Sequence, residues 1–591
     1  MGFGPQYDSI FGYTLSSVPF VNYTDGNRAQ MAASMIKQSQ PLIQPEVPII
    51  ATWYYQLPIQ SMFVQRAKKD GVVVESQFFH VLVEYDDGEL DIFTIPNLLW
   101  KTYVKPGQRV KKNDVIIAHL NYDPKYDCYR FGVNAFVAWG VDDYTFEDAI
   151  VMSEQGVQKF TSYFQVVEEI EISANKIIQF PDDKPLDIGQ KITRQKPILI
   201  LRNSPNSLMT HLIPTEEYVY YSKRPFQITN ITVYYTSDEV LKDQPDYVKD
   251  WLLKFSFKNK LNNYIQRVKH HKELVKFYLN RTQKLESDIL IVIEGIQLHT
   301  PELGDKFANL WGNKGVLACV NDNSKMLFEV PGFKDPFVID IMHTPIGVPS
   351  RMNDAQVLYG NLAFFLKYVY PKHLKKVYEK DGLDKALEDI LKVYKYIDPA
   401  TEKWMEEQFK SLSRDFLEEC VKDAIENGLY MRIASFTYDT VYRAYKLLKE
   451  FNCPMKGYYP RWNKELGFGV IYTMKLEHLA QEKIKFRSVG EYNKRTLQPE
   501  DGQRMGEMEV WTITCTPHAL YEVLTVKSDD LEGKQEVLTN IVTDGKSNLP
   551  KTTDAKVLDL LNAYFVLQGM KLENYQMQIA EEKSDDESEK E

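Results

Sequence analysis

The chain has 591 residues, 44% of them hydrophobic and 26% charged, and at that length it calls for about two to four domains. Its formal net charge of −11 excludes a protein that coats nucleic acid indiscriminately, while leaving room for local basic channels where Lys and Arg cluster. No apolar stretch reaches the ~20 residues of a membrane-spanning helix, and five dispersed cysteines without a CxxC pair argue against a zinc ribbon or disulfide framework and for a reducing compartment.

Residues 1–50 are punctuated by Gly, Pro and Asn around one short helical stretch, roughly 26–38. The opening MGFGPQYDSIFGY lacks a basic-then-apolar signal pattern, so a soluble intracellular chain is expected. Residues 72–120 alternate like strands, with turns at Asp86-Asp87-Gly88 and Pro106-Gly107. Strand-like runs follow at 131–139 and 163–173, then a β-rich, Pro-interrupted insertion over 175–246. A helical segment at about 247–285 sets Leu261, Ile265, Val268 and Val275 among many lysines, which suits a surface hairpin or a contact with nucleic acid or a partner. Its His270–His271 pair reads as a solvated face rather than a metal site. Strand character returns at 288–298 and near 315–342. Residues 353–450 read as mostly helical, with Pro371 and Pro399 as breaks, and the acidic tail after about 577 reads as disordered.

Five stretches carry chemistry-bearing residues. GDKFANLWGNKG (304–315) brackets Lys306 and Lys314 with glycines, so a turn is able to aim both ammonium groups into one cleft; an ordinary loop with two exposed lysines is the plainer alternative. It is not a phosphate-binding P-loop, because Gly315 follows Lys314 where Ser or Thr belongs. In HTPIGVPSRMNDAQ (343–356), Ser350 or Asn353 is a candidate cap for the next helix. Arg351 near that helix start would suit an anion such as a triphosphate, or else a carboxylate. Asp25, Asn27 and Arg28 precede a helix with Met31 and Met35 on one face. Glu147 and Asp148 in YTFEDAIVMSE (144–154) stand adjacent in an apolar, strand-like context, too few for a Mg²⁺ site alone; a salt-bridged turn is the alternative. QRMGEMEVW (503–511) and LTVKSDDLEGK (524–534) read as surface loops.

In this order the stretches resemble the bacterial-type RNA polymerase β subunit across nearly the whole chain. Residues 18–41 resemble the family's IPFxxHxDANRAxMxxNMQRQAVP, and 132–154 its GxNxxVAFMPWxGYNFEDAIxISE. GDKFANLWGNKG resembles GDKxAGRHGNKG, HTPIGVPSRMNDAQVL resembles NPxGVPSRMNxGQxL, and KLEHLAQEKIKFRSVG (475–490) resembles KLxHLVDDKxHARSxG. There are departures: Asn309-Leu310-Trp311 replaces Gly-Arg-His, Lys37 stands for Arg, Lys485 for His, and Gly140-Val141-Asp142-Asp143 lacks the family's Met-Pro-Trp.

The resemblance implies an α+β multidomain chain: a double-psi β-barrel with an inserted flap-like domain, helical segments and a C-terminal anchor and clamp region. The implied divisions are a link segment (1–50), the first barrel part (51–154), the flap-like insertion (155–285), the second barrel part with the lysines (286–352), a helical hybrid-binding region (353–470), an anchor and clamp region (471–576) and the tail (577–591). It implies a nucleotidyltransferase active only within a multisubunit DNA-directed RNA polymerase. Lys306 and Lys314 would line the cleft near the RNA 3′ end, Arg28 and Arg351 would contact nucleotide phosphates, and Glu147 and Asp148 would lie near a substrate-borne Mg²⁺. Gln38, Lys37, His478, Lys483, Lys485 and Arg487 would face template or transcript. The implied partners are the N-terminal half of the β subunit, a β′-type largest subunit carrying the main Mg²⁺ ligands, a promoter-specificity factor, DNA and RNA, with no membrane. A split β subunit resembles those of large bacteriophages, which implies the cytoplasm of a bacterial host, with virion packaging left open. A non-catalytic nucleic-acid-binding scaffold or a regulatory decoy built on the polymerase fold is the competing reading.

Overall fold

The computed structural model describes residues 11–56, 63–76, 80–95, 98–173, 175–193, 196–203, 217–222, 224–256, 288–480, 483, 493, 506–515 and short stretches between 535 and 570. The chain divides into two units, residues 1–482 and 483–591.

The first unit is organised by six strands: β1 (Val133–Trp139), β2 (Ala149–Ser153), β3 (Lys306–Asn309), β4 (Lys314–Asn321), β5 (Ile341–His343) and β6 (Lys464–Lys475). They close on themselves. β1 runs parallel to β5 (Val137↔Ile341), β5 antiparallel to β2 (Ile150↔His343), and β2 parallel to β4 (Ala149↔Val316). β4 pairs back on β3 (Lys306↔Val316), β3 on β6 (Phe307↔Lys475), and β6 on β1 (Val133↔Thr473). A closed barrel has no free edge. β1, sequence VNAFVAW, is buried at all seven positions, so both of its faces are covered. The fold is thus mixed α+β around a closed six-stranded β-barrel.

Aromatic rings fill the region around β1. Phe136 stacks on Phe337 at 5.0 Å between centroids, and Phe364 meets Phe468 edge-on at 4.8 Å. Helix α1 (Gly26–Lys37) lies beside the β3–β4 turn, and helix α2 (Ala355–Phe364) lies across β6. Backbone meets backbone there: a Cβ on Gly469 would stand 2.6 Å from the Gly360 carbonyl carbon, so only glycine fits.

From α2 the chain passes through a π-helical turn (Phe365–Val369) into α3 (Tyr370–Ile397). Pro371 therefore does not break the helical path as expected. It follows directly on the π-helical turn, and the Leu366 carbonyl that its missing N–H would have served accepts from the Leu429 amide at 3.0 Å. The interruption is Gly382, at φ +83°, inside α3. Pro399 does mark a break: Asp398 caps the new helix α4 (Pro399–Ser411) by accepting from the Ala400 and Thr401 amides. Helices α5 (Arg414–Asn427) and α6 (Thr440–Glu450) complete this layer.

Two smaller cores flank the barrel. One gathers Val73, Val81, Val83, Phe93, Val110 and Ile117 under the strands Gly71–Ser76, His80–Tyr85 and Leu90–Thr94, where the alternation predicted strands. Gly88 at φ +81° closes the hairpin at Asp86-Asp87-Gly88. The other core gathers Phe180, Ile231, Trp251 and Ile291. There the long strands Ser162–Ile172 and Ile289–His299 pair over their full length. Only the start of the predicted 247–285 helix, Asp246–Lys254, is described; the rest, with His270 and His271, lies outside the described residues.

In the second unit, residues 507–514 form a helix, exposed over 507–512, rather than the expected loop. Residues 524–534 and the tail after 577 lie outside the described residues. Among the described residues, no helix is long and apolar enough to cross a membrane.

Candidate active-site face

The register of the β3–β4 hairpin decides where its lysines point. Lys306 sits opposite Val316, and Lys314 opposite Ala308. Because alternate residues share a face, Lys306 and Lys314 project to the same side as diagonal neighbours. Both are half-buried, while Phe307 and Leu317 turn into the core. The turn between them is built by Asn309, whose Oδ1 accepts from the Trp311 amide at 3.0 Å and the Asn313 amide at 3.1 Å. Gly312 follows at φ +73°, and a Cβ there would meet the Arg28 carbonyl oxygen at 2.5 Å. Glycine lets α1 rest directly on the turn.

Asp25 caps α1 by accepting from the Asn27 amide at 3.0 Å, which puts Asn27 and Arg28 in the first helical turn rather than before the helix. Arg28 Nη1 reaches the Gly312 carbonyl at 3.5 Å. Burial lowers its pKa first, and the neighbouring Arg351 lowers it further, against the pull of Asp148 and Asp25. The two methionines do not share an environment: Met35 is buried, whereas Met31 is exposed at the edge of that face.

Trp311 ties the segments together. Its Nε1 donates to the Pro19 carbonyl at 2.8 Å, its carbonyl accepts from Asn353 Nδ2 at 2.7 Å, and its ring lies 4.7 Å from that of Tyr359. The Asp25 amide donates to the Met352 carbonyl at 3.1 Å. Asn353 is oriented through its Nδ2 by the bond to Trp311, and its Oδ1 does not cap α2. Ser350 does not cap it either; its hydroxyl donates back to the Ile346 carbonyl at 2.8 Å. Arg351 ends the short helix Gly347–Ser350 instead of opening α2, so no helix N-terminus assists it. Its Nη1 donates to Asn313 Oδ1 at 3.0 Å, and its Nη2 pairs with the Asp148 carboxylate. Burial pushes the neighbouring His343 imidazole down to about 4, so it is neutral at pH 7.

Glu147 and Asp148 do not occupy the expected apolar strand. Both are exposed in the turn before β2, with Glu147 at φ +51°. The Asp148 carbonyl accepts from the Val316 amide at 2.9 Å, which fixes the turn against β4. Among the described residues, no three His, Cys, Asp or Glu side chains come together as metal ligands. Two carboxylates, one held by a guanidinium, do not fit a resident Mg²⁺ site.

A second group lies at the other end of the hairpin. His478 Nε2 is 3.2 Å from Gln38 Oε1, and the Glu477 amide donates to the Gln38 carbonyl at 2.9 Å. The Lys306 amide in turn reaches the His478 carbonyl at 3.3 Å. Lys37 is exposed on the last turn of α1. Lys483 is exposed and belongs to the second unit; Lys485 and Arg487 lie outside the described residues.

Sequence reasoning missed the buried charge beneath Lys306. Lys475 Nζ, fully buried, lies 3.0 Å from Ser162 Oγ and 2.6 Å from His299 Nδ1, with Asp305 Oδ2 at 3.8 Å. Asp305 and Lys475 each stand inside a quoted motif, yet 170 residues apart nothing local pairs them. Burial pulls the Lys475 ammonium from 10.5 down to about 8. A lowered lysine pKa means the folded state gives up its proton first, so stability gains as pH rises from about 8 towards 10.5. In Lys475→Met that gain is absent. The stability of the parent relative to this variant is expected to climb over that interval in paired urea titrations; a pH-independent difference would contradict the assignment.

The model of the family described as RNA polymerase Rpb2, domain 6, matches residues 15–505. The DNA-directed RNA polymerase subunit beta of Ureaplasma parvum is 27% identical over 90% of this chain and 39% of its own length. That of Spiroplasma citri is 27% identical over 91% of this chain and 38% of its own. That of Streptococcus thermophilus is 26% identical over 96% of this chain and 44% of its own. The chain thus spans about two fifths of the length of the curated relatives it matches. With Arg28, Gly312, Asp148 and Arg351 drawn together within the matched span, the chain belongs to the RNA polymerase Rpb2 domain 6 family.

Proposed function

We propose that this chain is the carboxy-terminal portion of the β subunit of a multisubunit DNA-directed RNA polymerase, binding nucleotide phosphates and the RNA–DNA hybrid. The observation that carries this is the convergence of Arg28, Lys314 and Arg351, from three separate segments, around the Gly312 turn. Polar groups held ready for developing phosphate charge suit transfer of a nucleotidyl group, in which the RNA 3′-hydroxyl attacks the α-phosphate and pyrophosphate leaves. The closed barrel is a double-psi β-barrel in this reading, with a flap-like domain over 155–285, a helical hybrid-binding region over 353–470 and an anchor and clamp region over 471–576. The Mg²⁺ ligands come from a β′-type largest subunit, since Glu147 and Asp148 do not supply a site. The other partners are the N-terminal β portion, a promoter-specificity factor, template and transcript, in the cytoplasm of a host cell.

Arg351→Ala tests the reading in a reassembled enzyme. Loss of a charged hydrogen-bond donor to phosphate costs ~1.5–3 kcal/mol, which raises the apparent KM for nucleotides roughly ten- to a hundredfold and slows extension. Parent-like nucleotide dependence in primer extension would overturn the role given to Arg351.

A further inference from the structure

Resting on the reading of Arg28 and Arg351 as phosphate-binding cations, we propose that Asp148 is a built-in competitor for the same site. Its carboxylate holds Arg351 while no polyphosphate is bound, and a polyphosphate displaces it.

The geometry around the pair separates a fixed partner from a movable one. The Arg351 side chain is only 16% exposed and is oriented independently by Asn313, at 3.0 Å on the other guanidinium nitrogen. It stays aimed when its carboxylate leaves. The Asp148 side chain is 51% exposed and reaches Arg351 from the solvent side. Its backbone is pinned through the Val316 amide, so a side-chain rotation releases the pair without moving β2 or β4.

Charge balance gives the pair its purpose. Arg28 stands close enough to Arg351 for that second cation to disfavour its charge, and Asp148 offsets that repulsion. A polyphosphate brings several negative charges to the same two cations and replaces one carboxylate with a stronger counter-charge. The residues flanking the pair, Glu147 at φ +51° and Met352 at φ +48°, both hold a left-handed backbone that neither residue type favours. Backbone of this kind collects where a site is held ready for a ligand. Asp148, which together with Glu147 does not fit a resident Mg²⁺ site, thereby gains a different use. Whatever free energy the Arg351–Asp148 contact gives the free protein is subtracted from the affinity of the incoming anion.

The test titrates the full 591-residue chain with inorganic tripolyphosphate by calorimetry, without divalent cations. Asp148→Asn and Asp148→Ser are expected to bind about tenfold more tightly than the parent, a modest share of what close charge pairs are worth. Asp354→Asn, which removes an exposed carboxylate three residues from Arg351, controls for the unit change in net charge and is expected to gain less than about twofold. Adding Arg351→Ala to Asp148→Asn is expected to erase the gain. Should both Asp148 variants bind like the parent or like Asp354→Asn while Arg351→Ala weakens binding, the competitor role is overturned and the anion site stands. Should Arg351→Ala leave binding unchanged, or no variant bind at all, the anion site itself is overturned and the competitor with it.

Discussion

Lys306→Ala and Lys314→Ala are each expected to reduce nucleotide addition by a hundredfold or more in the reassembled polymerase while leaving its assembly intact. The magnitude follows from what a single preorganised donor contributes in a partly desolvated site, ~3 kcal/mol of transition-state stabilisation. The selectivity follows from the hairpin. The β3–β4 pairing runs through backbone groups, and the core beneath it is made by Phe307 and Leu317 on the opposite face. Truncating either lysine at Cβ therefore removes a charge from one face and leaves the strand, the Asn309 turn and the contact with α1 in place. Co-purification of the subunits reads assembly, and single-nucleotide extension from a synthetic scaffold reads activity. Variants that assemble and extend within about threefold of the parent would remove both lysines from the chemistry. Variants that fail to assemble would instead assign the lysines to an interface.

What the sequence made legible was local. The short valine-rich runs at 72–74 and 81–83, followed by the Asp86-Asp87-Gly88 turn, are enough to place strands. Asp25 before an amphipathic run is enough to start α1. Closure of the barrel was not legible from residues alone, because its parallel pairs join Val137 to Ile341 and Ala149 to Val316, far apart in the chain and joined by no turn. The same distance hid Lys475 from Asp305. Where local chemistry misled, tertiary packing had oriented the side chain: Asn353 has the composition of a helix cap, but its Nδ2 is turned to the Trp311 carbonyl and α2 begins without a side-chain cap. Glu147 and Asp148 read as strand because Ala149, Ile150 and Val151 follow them, and burial begins only there. The site residues were named through resemblance. Their convergence is what the structure adds, and Trp311 is the residue that holds it together.

Trp311→Ala is expected to destabilise the first unit by ~3–5 kcal/mol, the range for emptying a buried aromatic position. In the sequence, Asn309-Leu310-Trp311 looks like a loss of charge between two lysines. In the structure the indole is fully buried against Tyr359, donates to the Pro19 carbonyl, and offers its own carbonyl to Asn353. Removal of the ring thus opens a cavity and strands a buried carbonyl at once, and it loosens the join between α1, the Gly312 turn and the Arg351 segment. Trp311→Phe separates the two effects: it retains most of the packing and forfeits the hydrogen bond, for ~1–3 kcal/mol. A single unfolding free energy is poorly defined for a chain with several cores, so hydrogen exchange is the sharper measurement. The Asp25 amide, which donates to Met352, and the Asn353 amide, which donates to Val348, are expected to lose protection in Trp311→Ala before the amides of β1 and β6 do. If those two amides stayed as protected as in the parent, Trp311 would be a packing residue only, and the alignment of Arg28 with Arg351 would need another cause.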